Sequence, residues 1–103
     1  MADMKFGFTP THPGEVLKDE IQYRKISQSL LAKQMGMSYK ILNDILNERR
    51  PITTTTAMMF EAALGIPAYS LINIQTEYSL QVASRDKSFL NRLAKIRKMV
   101  AVF

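Results

Sequence analysis

The 103 residues carry 47% hydrophobic and 22% charged side chains, the balance of one folded domain with a modest core and not of a disordered tail. The absence of cysteine excludes disulfides and thiolate metal sites, and it fits a cytoplasmic setting. The net charge of +5 does not in itself point to an anionic partner: residues 1–83 hold eight basic and eight acidic side chains, and the excess comes from Arg85, Lys87, Arg92, Lys95, Arg97 and Lys98 against Asp86 alone. No apolar run approaches the roughly 20 residues of a membrane-spanning helix, and the opening MADMKFGFTP lacks the basic and long apolar regions of a signal peptide.

Residues 1–11 read as an N-terminal arm, in which Phe6 and Phe8 alternate ahead of Pro10 and are placed to pin the arm to the core or to a second subunit. A first helix opens at His12-Pro13-Gly14-Glu15: proline is tolerated in the first turn, and a glutamate there answers free amides and the helix dipole. Val16, Leu17, Ile21 and Tyr23 are expected to face inward from it. Ser27 caps a second helix that runs to Met35. Gly36 breaks the chain where a positive φ is needed. Ser38 then caps a third helix that runs to about Asn47. Arg49-Arg50-Pro51 forms a loop, and Thr53 starts a fourth helix through Ala57, Met58, Phe60, Ala63 and Leu64, stopped by Gly65. Pro67 opens a fifth with Leu71, Ile74, Tyr78 and Val82 on one stripe. The last helix, about Ser88 to Val102, spaces Phe89, Leu93, Ile96, Val100 and Phe103 by alternating fours and threes, a narrow apolar seam of coiled-coil type that needs a cover, either a second subunit or the rest of the chain. The pattern is all-α with five to six helices. It divides into the arm, a domain over 12–83 and a basic amphipathic helix over 84–103.

The stretch QSLLAKQMGMSYKILNDILN, residues 28–47, carries the functional signal. Leu31, Ala32, Met35, Met37, Leu42 and Ile45 are its buried positions, Ala32 must be small because a second helix crosses over it, and Gly36 makes the turn. Two short helices in this relation form a helix-turn-helix, which lays its second helix in the major groove of DNA. With Leu42 and Ile45 turned to the core, Tyr39, Lys40, Asn43 and Asn47 point away from it. Asparagine can pair bidentately with adenine, and lysine can reach guanine or phosphate. Gln28 stands beside free amides at a helix start, suited to a backbone phosphate, and Ser38 belongs to the same surface. Arg49 and Arg50 flank the groove as phosphate contacts. Asp44 is a counter-signal there, since a carboxylate repels phosphate unless it accepts from cytosine or pairs with a nearby cation. Catalysis has no support: the one histidine, His12, lies against Pro13 where a cap is needed, the threonines at 53–56 start a helix, and no cofactor or metal pattern occurs.

Beyond this motif, the sequence resembles the HigA/VapI-type antitoxins, a branch of the Xre-type helix-turn-helix proteins. The matching pieces are H-P-G-E-V-L at 12–17, S-Q-S-L-L-A at 27–32, L-N-E-R-R-P-I-T at 46–53, A-x-x-F at 57–60, L-G at 64–65 and I-N-I-Q-x-x-Y at 72–78. Three positions depart from the family: Glu48 stands where glycine is usual, Leu71 where tryptophan is frequent, and Ser79 where aspartate is frequent. The resemblance implies an Xre/lambda-repressor-like domain with a C-terminal helical extension. It also implies a function: neutralising a cognate toxin, usually a small basic RelE-like ribonuclease that cuts mRNA, and repressing the shared operon as a homodimer on palindromic double-stranded DNA. The acidic stripe Glu15, Asp19 and Glu20 is a candidate surface for such a toxin. A stand-alone repressor without a toxin shares every feature of the DNA face and is the alternative.

Overall fold

The computed structural model describes residues 10–103, and the arm residues Phe6 and Phe8 lie outside that range. Six helices follow in order: α1 Pro13–Tyr23, α2 Gln28–Met35, α3 Tyr39–Leu46, α4 Thr54–Leu64, α5 Ala68–Ala83 and α6 Lys87–Val100. Each of the first four is started by a side-chain cap. His12 Nδ1 accepts from the Gly14 amide at 2.8 Å, Ser27 Oγ from Leu30 at 3.3 Å, Ser38 Oγ from Ile41 at 3.1 Å and Thr53 Oγ1 from Thr56 at 3.3 Å. Such a cap typically contributes about 1 kcal/mol, which matters for helices as short as α2 and α3. Gly36 closes α2 with φ 71° and Gly65 closes α4 with φ 76°, left-handed conformations in which a Cβ is disfavoured.

The caps set the helix ends, and burial of the apolar stripes sets how they pack. Leu17 and Ile21 of α1, Leu31, Ala32 and Met35 of α2, Leu42, Ile45 and Leu46 of α3, Ala57, Phe60 and Leu64 of α4, and Leu71 of α5 form one core with Ile52. Phe60 is fully buried and is the largest side chain in it. Met37 is only partly buried, packed against the core's edge. At the start of α1, Gly14 lies against the backbone of Ile45 so closely that a Cβ there would overlap the Ile45 carbonyl oxygen. The N-terminus of α1 is thereby seated on the C-terminal turn of α3.

Three sequence expectations are corrected. Tyr23 does not face inward; it is 84% exposed, because it lies about 200° around the helix from the buried Ile21. The last helix starts one residue earlier than Ser88, since the Asp86 carboxylate accepts from the Phe89 amide at 3.1 Å and caps it, and it ends at Val100. The stripe of α5 fades along its length: Leu71 is buried, Ile74 and Tyr78 are half-buried, and Val82 is 47% exposed. Among the described residues, nothing buries the seam of α6 either. No residue of that helix is buried, and Ile96 and Val100 are about half exposed. The radius of gyration, 17.1 Å, exceeds the roughly 13 Å of a compact chain this long, as expected when the C-terminal helix stands off the core.

Candidate nucleic-acid interface

The outer face of α3 and the elements beside it form the candidate site. With Leu42 and Ile45 buried, Tyr39 and Lys40 are exposed on the first turn of α3 and Asn43 is half-buried one turn on. Gln28 is the first residue of α2, at the end where backbone amides are free. Its Oε1 accepts from Asn43 Nδ2 at 3.3 Å, which joins the two helices of the motif. Asn43 Oδ1 in turn accepts from Arg49 Nη2 at 3.0 Å.

Asp44 organises this cluster from beneath. Its side chain is 12% exposed; Oδ2 accepts from Lys40 Nζ at 3.0 Å and Oδ1 from Arg49 Nε at 3.2 Å. The hydrogen bond from Lys40, with that from Arg49 and the charge of both cations, outweighs burial and holds the Asp44 carboxyl below its ordinary pKa. The acid that reads as a counter-signal in sequence is therefore paired with nearby cations, and it is the anchor that aims them. Because the pair is mostly exposed on the cation side, its worth lies in orientation more than in stability.

Gln28, Lys40, Asn43 and Arg49 are thus brought together, with Tyr39 beside them. Ser38 is at the start of α3, its hydroxyl engaged as the cap. Asn47 is engaged within the protein at both ends of its side chain. Its Oδ1 accepts from Lys18 Nζ of α1 at 2.9 Å, and its Nδ2 donates to the Asn43 carbonyl at 2.9 Å, closing the last turn of α3. Arg50, next in the loop, is exposed and makes no hydrogen bond or ion pair among the described residues.

The loop after α3 turns at Glu48, whose φ of 65° is left-handed. Arg49 N donates to the Asp44 carbonyl at 2.7 Å, and beyond Pro51 the Ile52 amide donates to Gln75 Oε1 of α5 at 2.8 Å. Below the loop, the buried His12 ring meets Tyr78 edge to face, centroids 4.8 Å apart at 80°. Burial lowers the His12 pKa, and the nearby Glu48 charge offsets part of that. Its Nδ1 accepts from Gly14, so the neutral ring carries its proton on Nε2. His12 is a cap and a packing surface, as its place beside Pro13 suggested. Sequence reasoning missed three contributors: Gly14 as the contact between α1 and α3, Gln75 as the tie to the loop, and Asp44 as an anchor. Gln75 and Gly14 had a signal in their places in I-N-I-Q-x-x-Y and H-P-G-E-V-L, and Asp44 had one in the cations four and five positions away.

Residues 17–71, more than half of the chain, match the helix-turn-helix family. Virulence-associated protein I of Dichelobacter nodosus is 38% identical over 81 residues, 78% of this chain and 75% of that protein. The chain belongs to the HigA/VapI-type antitoxins. Among solved structures, the Pseudomonas aeruginosa antitoxin HigA with the higBA promoter is 37% identical, with a TM-score of 0.68 over 72% of this antitoxin and 82% of its own chain. An addiction module antidote protein of the HigA family from Coxiella burnetii is 30% identical, with a TM-score of 0.74 over 85% of this antitoxin and 95% of its own chain. The fold is the all-helical Xre-like one these proteins share. Among the described residues of this antitoxin, no helix is long and apolar enough to cross a membrane.

Proposed function

We propose that this antitoxin acts in the cytoplasm, represses its own operon by binding a palindromic operator as a homodimer, and neutralises a small, basic, RelE-like mRNA-cleaving toxin. The observation that carries the DNA half is the cluster of Gln28, Lys40, Asn43 and Arg49 held in one arrangement by Asp44. Side chains locked before binding lose less entropy on the groove, and locked polar groups discriminate between base edges. In this reading Lys40 and Asn43 reach base edges with Tyr39 beside them. Gln28, Ser38, Arg49 and Arg50 hold the flanking phosphates, while Asn47 contributes by closing α3. The HigA of P. aeruginosa, solved with its promoter, supports the assignment by likeness.

Homodimer formation through the exposed seam of α6 supplies the two-fold symmetry that a palindrome requires, with half-sites about one DNA turn, roughly 34 Å, apart or a multiple of it. The toxin surface is assigned to α1, where Glu15 and Asp19 are exposed and free of ion pairs among the described residues, while Glu20 is tied to Arg24. A basic ribonuclease is the complement of that stripe.

The test is fluorescence anisotropy on the protein's own promoter and on a scrambled duplex across a salt series. The expected preference is at least about a thousandfold near physiological salt, with affinity falling as salt rises. Equal binding to both duplexes refutes the repressor. For the toxin, the product of an adjacent gene of about 100 residues should arrest growth alone and not with this antitoxin; the absence of such a neighbour refutes that half and leaves a stand-alone repressor.

A further inference from the structure

Among the described residues, no side chain holds Arg50, whereas Lys40 and Arg49 are both held, yet the backbone of Arg50 is confined on both sides. Upstream, the Arg49 amide is bound to the Asp44 carbonyl at 2.7 Å, inside the last turn of α3. Downstream, Pro51 disfavours the helical conformation at Arg50 by clash with the proline ring, and the Ile52 amide is bound to Gln75 Oε1 at 2.8 Å, with Ile52 itself buried. Arg50 therefore bridges two fixed points. Proline donates no hydrogen bond, so the Ile52 amide is the first donor after Arg50 by which the chain can be fastened.

The orientation of Gln75 is determined. An amide N–H only donates, so Oε1 must face Ile52, and Nε2 is left to donate to the Ser79 hydroxyl at 3.2 Å. Gln75, Tyr78 and Ser79 are spaced three and four apart and share one face of α5. Tyr78 rests on the His12 ring, so this face is seated on the start of α1 as well as on the loop.

We propose that Gln75, oriented by Ser79, is a positioning residue for DNA binding: it holds the loop so that Arg50 stands ready at a phosphate. It touches no DNA and acts through Arg50. The inference rests on the DNA-binding reading above, and it makes α5 part of the DNA-binding machinery, not only of the scaffold. Arg50 would otherwise have to be ordered at the moment of binding, at the cost of backbone and side-chain entropy.

The experiment is the salt dependence of anisotropy on promoter and scrambled duplexes for the full chain, Gln75→Met, Arg50→Ala and the double variant, each checked by thermal melting. Methionine keeps the length of the side chain and removes the acceptor. Arg50→Ala should make the slope of log K against log salt shallower by about 0.9 for each loop engaged. Gln75→Met should reproduce most of that loss, weaken both duplexes by the same factor so that the promoter preference is kept, and add nothing in the Arg50→Ala background. Ser79→Ala, which removes only an exposed hydroxyl, should shift the slope in the same direction by less, and it serves if Gln75→Met does not fold. A Gln75→Met or Ser79→Ala protein with the parent's slope, or one whose effect adds in full to that of Arg50→Ala, overturns the proposal. Because phosphate contacts are read on either duplex, a parent chain without promoter preference refutes the repressor while the Gln75 comparison still stands. A parent that binds neither duplex refutes both.

Discussion

Replacing Gly14 by alanine sets two known effects against each other. Gly14 is helical, in the first turn of α1, and alanine there is favoured by about 1 kcal/mol of intrinsic helix propensity. Packing opposes it. A Cβ on Gly14 would overlap the Ile45 carbonyl oxygen and stand 3.0 Å from both the Ile45 carbonyl carbon and His12 Nδ1. The obstacle is backbone at the end of a buried helix, so α1 must retreat from α3. Overfilling of this kind costs about 1–3 kcal/mol. Retreat also spoils the cap from His12 to the Gly14 amide, worth about 1 kcal/mol. The net expectation is destabilisation by about 2 kcal/mol, which for a domain of this size lowers Tm by roughly 8–16 °C. Thermal denaturation followed by circular dichroism measures it. A variant that melts at or above the parent's temperature would show that propensity wins, and that Gly14 is not a contact on which α1 and α3 depend.

Glu48→Gly relieves a left-handed residue at the end of α3 and should raise stability by about 1 kcal/mol in denaturant titration, while a loss would mean that the Glu48 side chain makes a compensating contact. His12 makes stability depend on pH in one direction. Its folded pKa lies below the ordinary 6.5, so the unfolded chain binds the proton more readily; stability is complete above 6.5 and falls as pH drops through the folded value. Melting over about pH 5–8 should show this decline in the parent and not in His12→Asn, which can cap without titrating; equal declines in both would remove His12 as the cause. Asp44→Asn removes a negative charge and releases Lys40 and Arg49, so binding to scrambled DNA should tighten while the promoter preference narrows. An unchanged preference in anisotropy would show that Asp44 does not order the reading face.

Local signals were legible in the sequence because they are decided within a few residues. Ser27, Ser38 and Thr53 cap helices because a hydroxyl three residues before a free amide reaches it whatever lies around them. Gly36 and Gly65 end helices because the left-handed region is nearly closed to other residues. The alternation of Leu31, Ala32 and Met35 with Leu42 and Ile45 likewise places the core side of the motif, and so its outer side, by helical period alone. Tyr23 escaped that logic because an aromatic residue at the end of a helix is compatible with either side, and its angle from Ile21 puts it in water.

What depended on distant parts of the chain was not legible. Asp44 is an intermediate case: its cations lie only four and five positions away, so a pairing was open to the sequence, but only the structure shows Lys40 and Arg49 converging on it together. Nothing near Asn47 in sequence shows that α1 brings Lys18 to its side chain from 29 positions away. The tie from Gln75 to Ile52 spans 23 positions, and the seat of Gly14 on Ile45 spans a similar stretch. The sequence by itself determined an all-helical chain, the capped starts of the motif's helices and the side of the motif that faces outward, since backbone sterics, capping and apolar period act over one or two turns. Only the tertiary structure decided which polar groups on that side are held and by what. A hydrogen bond requires two atoms within about 3 Å, and the packing of helices far apart in sequence decides which atoms those are.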